Sequence, residues 1–154
     1  MADTITPVNL YLKFRKHFKN CLLLESSDYN SRENNSKSFI CFDPVLTYKI
    51  ENQRAYTCYK GNRINEEAID TSSFDTSFNS FKKLIAYKKQ NEVHPFNGLF
   101  GYISYNAVQY FESIQLQNKR TASSDIPDLE FSFYKFVLVF NHFNSDLTII
   151  ENLV

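Results

Sequence analysis

Apolar and polar positions change their period several times along this chain, and the changes mark its elements. Tyr11, Phe14 and Phe18 recur at helical spacing, with Lys13, Arg15, Lys16 and Lys19 over the remaining surface. Thr6-Pro7 ahead of them is a helix start: a hydroxyl N-cap, then proline where a missing N–H costs no bond. Asn20 interrupts, and Cys21 to Glu25 reads as a buried strand whose apolar run Leu22-Leu23-Leu24 delivers Glu25, Ser26 and Ser27 at its end. Ser27 to Lys37 holds no aliphatic residue and is predicted to be an exposed loop. Ser38 to Phe42 is predicted as a strand stopped by Asp43-Pro44. Val45 to Ile50 and Ala55 to Tyr59 predict a hairpin around Glu51-Asn52-Gln53-Arg54, with another turn at Lys60-Gly61-Asn62.

A second helix is predicted over Ser73 to Gln90, where Phe74, Phe78, Phe81 and Ile85 form one stripe that reads as core, capped by Asp75 or Thr76. His94-Pro95 breaks it. In Phe96 to Tyr105 stand Gly98 and Gly101, and glycine inside a strand marks a bulge or a close backbone approach. Asn106 to Phe111 reads as one or two helical turns, and Gln115 to Asp125 as a polar loop. Leu129 to Phe143 is the longest β signal, so apolar that much of it is expected to be covered on both faces. Asn144-Ser145-Asp146 turns it into a final strand, Leu147 to Ile150. The sum is an α+β fold: largely antiparallel β-sheets packed with two to three helices, at a length that suits one domain.

Charge excludes several functions. Lys plus Arg and Asp plus Glu number 17 each in 154 residues, so no global field attracts nucleic acid or an anionic membrane. Lys82-Lys83 and Lys88-Lys89 read as a solvated helix face. No apolar run approaches membrane-spanning length and the N-terminus lacks a secretory pattern, which points to the cytoplasm. Cys21, Cys41 and Cys58 are widely spaced, and with His17, His94 and His142 scattered nothing has zinc-ligand spacing. No nucleophile elbow, phosphate loop or dinucleotide fingerprint occurs. Glu66-Glu67 are adjacent and point differently in any regular element, so they read as a solvated pair rather than an acid–base pair. His94 and His142 have no partner identifiable from sequence.

Four blocks carry a resemblance: Thr6-Pro7-Val8, Leu22-Leu23-Leu24-Glu25-Ser26, Phe96-Asn97-Gly98-Leu99-Phe100-Gly101-Tyr102-Ile103-Ser104-Tyr105, and Ile126-Pro127-Asp128-Leu129 with the long strand to His142. In this order and spacing the chain resembles the N-terminal domain of the large subunit of anthranilate synthase. It departs from the common pattern at Asn97, Asn106 and Gln109. The resemblance implies that residues 1–154 form a single regulatory domain of a longer subunit and hold no catalytic residue or cofactor of their own. The full subunit would continue into a larger domain that binds chorismate and Mg²⁺, and a glutamine amidotransferase partner would supply ammonia.

The resemblance also implies a feedback-inhibitor site for L-tryptophan. Its indole needs a flat apolar slot, its ammonium acceptors and its carboxylate donors. Carried over by position, that effector site comprises Glu25, Ser26 and Ser27 at the strand end with Lys37 and Ser38 on the next strand, and Phe39 beside them. Lys37 would pair with the carboxylate. Either the Glu25 side chain or local backbone carbonyls would accept from the ammonium. Because the family's site borrows residues from the second domain, this chain alone is expected to bind tryptophan weakly or not at all. Rival readings are the sister aminodeoxychorismate synthase subunit, a stand-alone aromatic-amino-acid binding module, and a domain whose only job is subunit contact.

Overall fold

The computed structural model describes residues 5–25, 36–85, 94–114 and 126–153. Its elements are α1 (Pro7–Phe14), β1 (Leu22–Glu25), β2 (Lys37–Glu51), β3 (Arg54–Tyr59), β4 (Asn62–Ala68), α2 (Phe74–Leu84), β5 (Leu99–Ile103), a 3-10 helix (Tyr105–Tyr110), β6 (Leu129–Asn141) and β7 (Asp146–Glu151). The seven strands hydrogen-bond in the order β4-β3-β2-β6-β5, with β1 also on β2 and β7 also on β6. The sheet is mostly antiparallel, and with three helices the fold is α+β. The chain divides into two compact units, Met1–Val45 with Glu92–Phe100 and Tyr134–Val154, and Leu46–Asn91 with Gly101–Phe133.

In the first unit, Thr6 caps α1 by accepting from the Asn9 N–H at 3.2 Å, with Pro7 in the first turn. The helix ends at Phe14, earlier than the aromatic spacing suggests, but the Phe18 N–H still reaches the Phe14 carbonyl at 2.8 Å. Leu10, Tyr11, Phe14 and Phe18 thereby stay on one side and pack on Ile40, Phe42 and Leu138. Phe42 is the centre, with ring centroids 4.6 Å from Phe14 and 5.1 Å from Phe136, both stacked. Asn20, with φ of 56°, turns the chain into β1. On the opposite face Cys41, Tyr134, Val137, Val139 and Ile150 form a second cluster, joined by Leu22, Phe39, Phe96 and Phe100.

The expected break at Asp43-Pro44 is absent: β2 runs through it for 15 residues. β1 pairs with Ser38 to Cys41 and β3 with Leu46 to Glu51, so Pro44 falls in the gap between the two pairings, where neither β1 nor β3 needs its missing N–H. Asp43 takes φ of 60° and is exposed, which lets the strand continue past the proline.

In the second unit the hairpin at Asn52-Gln53 is as read, both residues having positive φ, the geometry of a two-residue primed turn. A strand that the apolar pattern did not signal follows it. β4 is exposed along nearly all its length and is held by pairing to β3 and by Glu66, which takes Arg54 and Arg63 at 2.5 Å each. Glu67 leaves the other face and accepts from Ser77 Oγ at 2.6 Å. Since the Ser77 proton goes to that carboxylate, the buried Tyr48 hydroxyl donates to Ser77 Oγ at 2.8 Å. α2 presents Phe74, Phe78 and Phe81 as expected, with Phe78 and Phe81 against Tyr48. Its cap is neither Asp75 nor Thr76. Ser73 is the N-cap residue, and the Asp70 carboxylate accepts from the Ser72 and Ser73 N–H groups at 2.9 Å. Those bonds and the two serine hydroxyls hold the Asp70 carboxyl at about 2.

Gly101 is the close approach expected of a strand glycine. A Cβ there would sit 2.8 Å from both the Glu130 carbonyl carbon and the Phe131 Cα, and closer still to the Glu130 carbonyl oxygen. Gly98 has open space around it.

Candidate functional site

The candidate site is built on the antiparallel pairing of β1 with the start of β2, which sets Glu25 opposite Ser38 and Leu24 opposite Phe39. Opposed residues share a face and neighbours alternate. Glu25 and Ser38 therefore leave one face at this strand end, and Leu24, Lys37 and Phe39 leave the other. Ser26 and Ser27 lie outside the described residues. Of the expected site residues, Glu25, Lys37 and Ser38 thus stand at one end of the sheet, but Glu25 and Lys37 emerge on opposite sides of it. Leu24 is exposed, unlike the buried strand expected of its run, and Glu25 is exposed at the strand end.

The Lys37 side is aromatic. Lys37 Nζ stands 5.2 Å from the centroid of the Phe96 ring. Phe39 meets Phe96 edge-on at 6.2 Å and Phe100 at 5.7 Å. The His94 ring lies 5.4 Å from the same Phe96 ring, and its Nδ1 accepts from the Phe96 N–H at 3.3 Å. Asn97 and Asn152 fix this turn by bonding each other through both side chains, at 2.7 and 3.2 Å, while Asn152 also donates to the Tyr134 carbonyl. Leu24, at 36% exposure, adds an open apolar edge opposite Phe39. The result is a half-buried apolar wall with a cation and an imidazole on it.

The Ser38 side is polar and closed. Ser38 has no exposed surface, and its hydroxyl bonds His142 Nε2 at 2.7 Å. The His142 N–H donates to the Ser36 carbonyl at 3.0 Å, tying β2 to the end of β6. His142 is exposed and lines a cleft of about 620 Å³ with Ile5, Thr6, Pro7, Asn141 and Asp146. A serine hydroxyl on an imidazole nitrogen is the first half of a nucleophile–base pair. Here the hydroxyl is wholly buried and reaches no substrate, so the bond satisfies a core serine.

Among the described residues, no group of three or more His, Cys, Asp or Glu is placed to hold a metal ion. No described helix is long and apolar enough to cross a membrane. The three cysteines are free, and burial pushes the Cys41 thiol up to about 12, so it stays protonated. The residues alone do not predict His94, Phe96 and Phe100 around Lys37 and Phe39. Phe96 and Phe100 stand out in the sequence only as members of the block from Phe96 to Tyr105, read for its glycines, and His94 only as a helix break and a histidine with no partner identifiable from sequence.

No protein-family model matches the chain. The chain is similar to anthranilate synthase component 1 of Lactococcus lactis subsp. lactis (strain IL1403), at 29% identity over 157 residues, covering 98% of this chain and 31% of that protein. It is 26% identical to anthranilate synthase component 1 of Methanothermobacter marburgensis, covering 94% of this chain and 29% of that one. The same component of Methanothermobacter thermautotrophicus is 27% identical over 147 residues. In fold the chain resembles the crystal structure of anthranilate synthase component I from Streptococcus pneumoniae TIGR4, with a TM-score of 0.53 at 24% identity over 97% of this chain and 30% of that one. The chain spans about 30% of the length of the curated relatives it matches.

Proposed function

We propose that this chain is the N-terminal, tryptophan-binding domain of an anthranilate synthase component 1, through which the pathway's end product inhibits the enzyme. The full-length form would convert chorismate and glutamine-derived ammonia to anthranilate and pyruvate in the cytoplasm. Its chorismate-binding domain, which would carry Mg²⁺, and its amidotransferase subunit lie beyond this chain. The observation that carries the reading is likeness to anthranilate synthase component 1 over 94 to 98% of the chain in three relatives. Two features of the strand end support the effector role. Lys37 supplies a cation for the ligand carboxylate, and Leu24, Phe39, Phe96 and Phe100 supply an apolar wall for an indole.

The faces bear on how the ammonium is held. An amino acid lying on the Lys37 side is turned away from the Glu25 carboxylate, which shares a face with Ser38. We therefore assign the ammonium to backbone carbonyls at the end of β1, with Ser26 as the adjacent donor and acceptor. Inhibition would be a two-state shift: tryptophan acts by its differential affinity for two arrangements of the whole enzyme.

The test is inhibition of the full-length enzyme by tryptophan. Ser26→Ala and Lys37→Ala should raise the half-inhibitory concentration by about tenfold, as expected for one lost charge-assisted hydrogen bond, with the uninhibited rate unchanged. Glu25→Gln should shift it by less than about threefold. Insensitivity of the wild-type enzyme to tryptophan would end the effector reading, and a Glu25→Gln effect as large as that of Lys37→Ala would return the ammonium to the carboxylate.

A further inference from the structure

The His94 ring, which shares Phe96 with Lys37, has no role in the reading so far, yet its chemistry is set by its neighbours. Its Nδ1 is engaged as an acceptor by the Phe96 N–H at 3.3 Å. A ring nitrogen that accepts carries no hydrogen, so the ring's proton sits on Nε2. That nitrogen is a directed donor. The ring is half-buried and held against Phe96 at 5.4 Å, while Lys37 Nζ lies 5.2 Å from the centroid of the same phenyl ring. A cation and an N–H donor thus both meet the Phe96 ring, with Phe39 at its edge. Carboxylates accept at two oxygens and bind best where a charge and a directed donor are both supplied. The turn is braced by the paired Asn97 and Asn152 side chains, so the imidazole is held in place before a ligand arrives.

We infer that His94 is a carboxylate-binding residue of the effector site: Nε2–H takes one oxygen of an aromatic amino acid whose other oxygen is paired with Lys37. This rests on the tryptophan-binding reading and adds to it a residue and a specificity. The site selects an indole bearing a carboxylate over one that lacks it.

Calorimetry on the full-length protein in which this chain occurs, with tryptophan and with tryptamine, tests the inference. Tryptamine keeps the indole and the ammonium and lacks the carboxylate. His94→Phe keeps an aromatic ring on Phe96 and removes the donor. It should weaken tryptophan binding about tenfold, the usual loss for a hydrogen bond to a charged group, and leave tryptamine unchanged. His94→Gln, which restores an N–H donor at similar reach, should recover part of the loss. Equal weakening of both ligands would make His94 a purely structural residue, and unchanged tryptophan affinity would remove it from the site. Either result overturns the inference while leaving tryptophan binding standing. A wild-type protein that binds no tryptophan overturns the effector reading and this inference together.

Discussion

Gly101 and Gly98 stand three positions apart in one block, and the structure gives them opposite roles. At Gly101 a methyl group would lie 2.8 Å from Glu130 C and Phe131 Cα and far inside van der Waals contact with the Glu130 carbonyl oxygen. These are backbone atoms of a neighbouring strand and cannot rotate away. Restoring ordinary contact needs a separation of about 1.5 Å, enough to lengthen local ladder bonds past their useful range. Overpacking of this kind costs about 1–3 kcal/mol, and one or two weakened backbone bonds add about 1 kcal/mol each. Gly101→Ala should therefore lose about 3 kcal/mol. With a urea m-value of about 2 kcal/mol/M for a chain of this size, the midpoint falls by about 1.5 M. Gly98→Ala is the control, because nothing lies within 4 Å of its added Cβ and its φ is not in the left-handed region. It should be neutral or more stable by up to about 1 kcal/mol. The measurement is urea unfolding of both variants by circular dichroism. Equal midpoints would refute the reasoning, since only the neighbouring backbone distinguishes the two sites.

Three further outcomes follow from single groups. The Asp70 carboxyl, lowered from 3.8 to about 2 in the folded chain, contributes stability that is fully present above pH 4 and lost as pH falls to 2. Asp70→Asn should flatten the pH dependence in that window, seen as smaller changes in melting temperature between pH 4 and 2. With its thiol at about 12, Cys41 should resist iodoacetamide at pH 8 in the native chain, while the half-buried Cys58 reacts first, as peptide mass mapping would show. Tyr48→Phe removes the donor to Ser77 Oγ in a buried site and should cost about 1 kcal/mol in urea unfolding.

Much of the architecture was legible because the signals are local. The Thr6-Pro7 start, the stripe on α2, the turns at Asn52-Gln53 and Lys60-Gly61 and the long β6 strand each rest on neighbouring residues and their periodicity. What was not legible depends on partners. β4 has no apolar alternation and exists because β3 and the Glu66 ion pairs hold it. Pro44 reads as a stop until the gap between the β1 and β3 pairings is known. The Ser73 N-cap and the Asp70 carboxylate that bonds its N–H lie ahead of Asp75 and Thr76, the positions a helix start suggests. At the site, the strand end could be found from residues alone and Lys37 only through the resemblance, but their faces could not, since a register shift of one residue exchanges them. Ser38 and His142 are 104 positions apart, and Lys37 meets Phe96 only through the fold.

The most direct test of the central claim is calorimetric titration of tryptophan into the full-length protein carrying this chain, with Lys37→Ala in parallel. The account predicts saturable one-site binding that Lys37→Ala weakens about tenfold, in step with lost inhibition. No binding to the wild-type protein, or binding that Lys37→Ala leaves untouched, would contradict it.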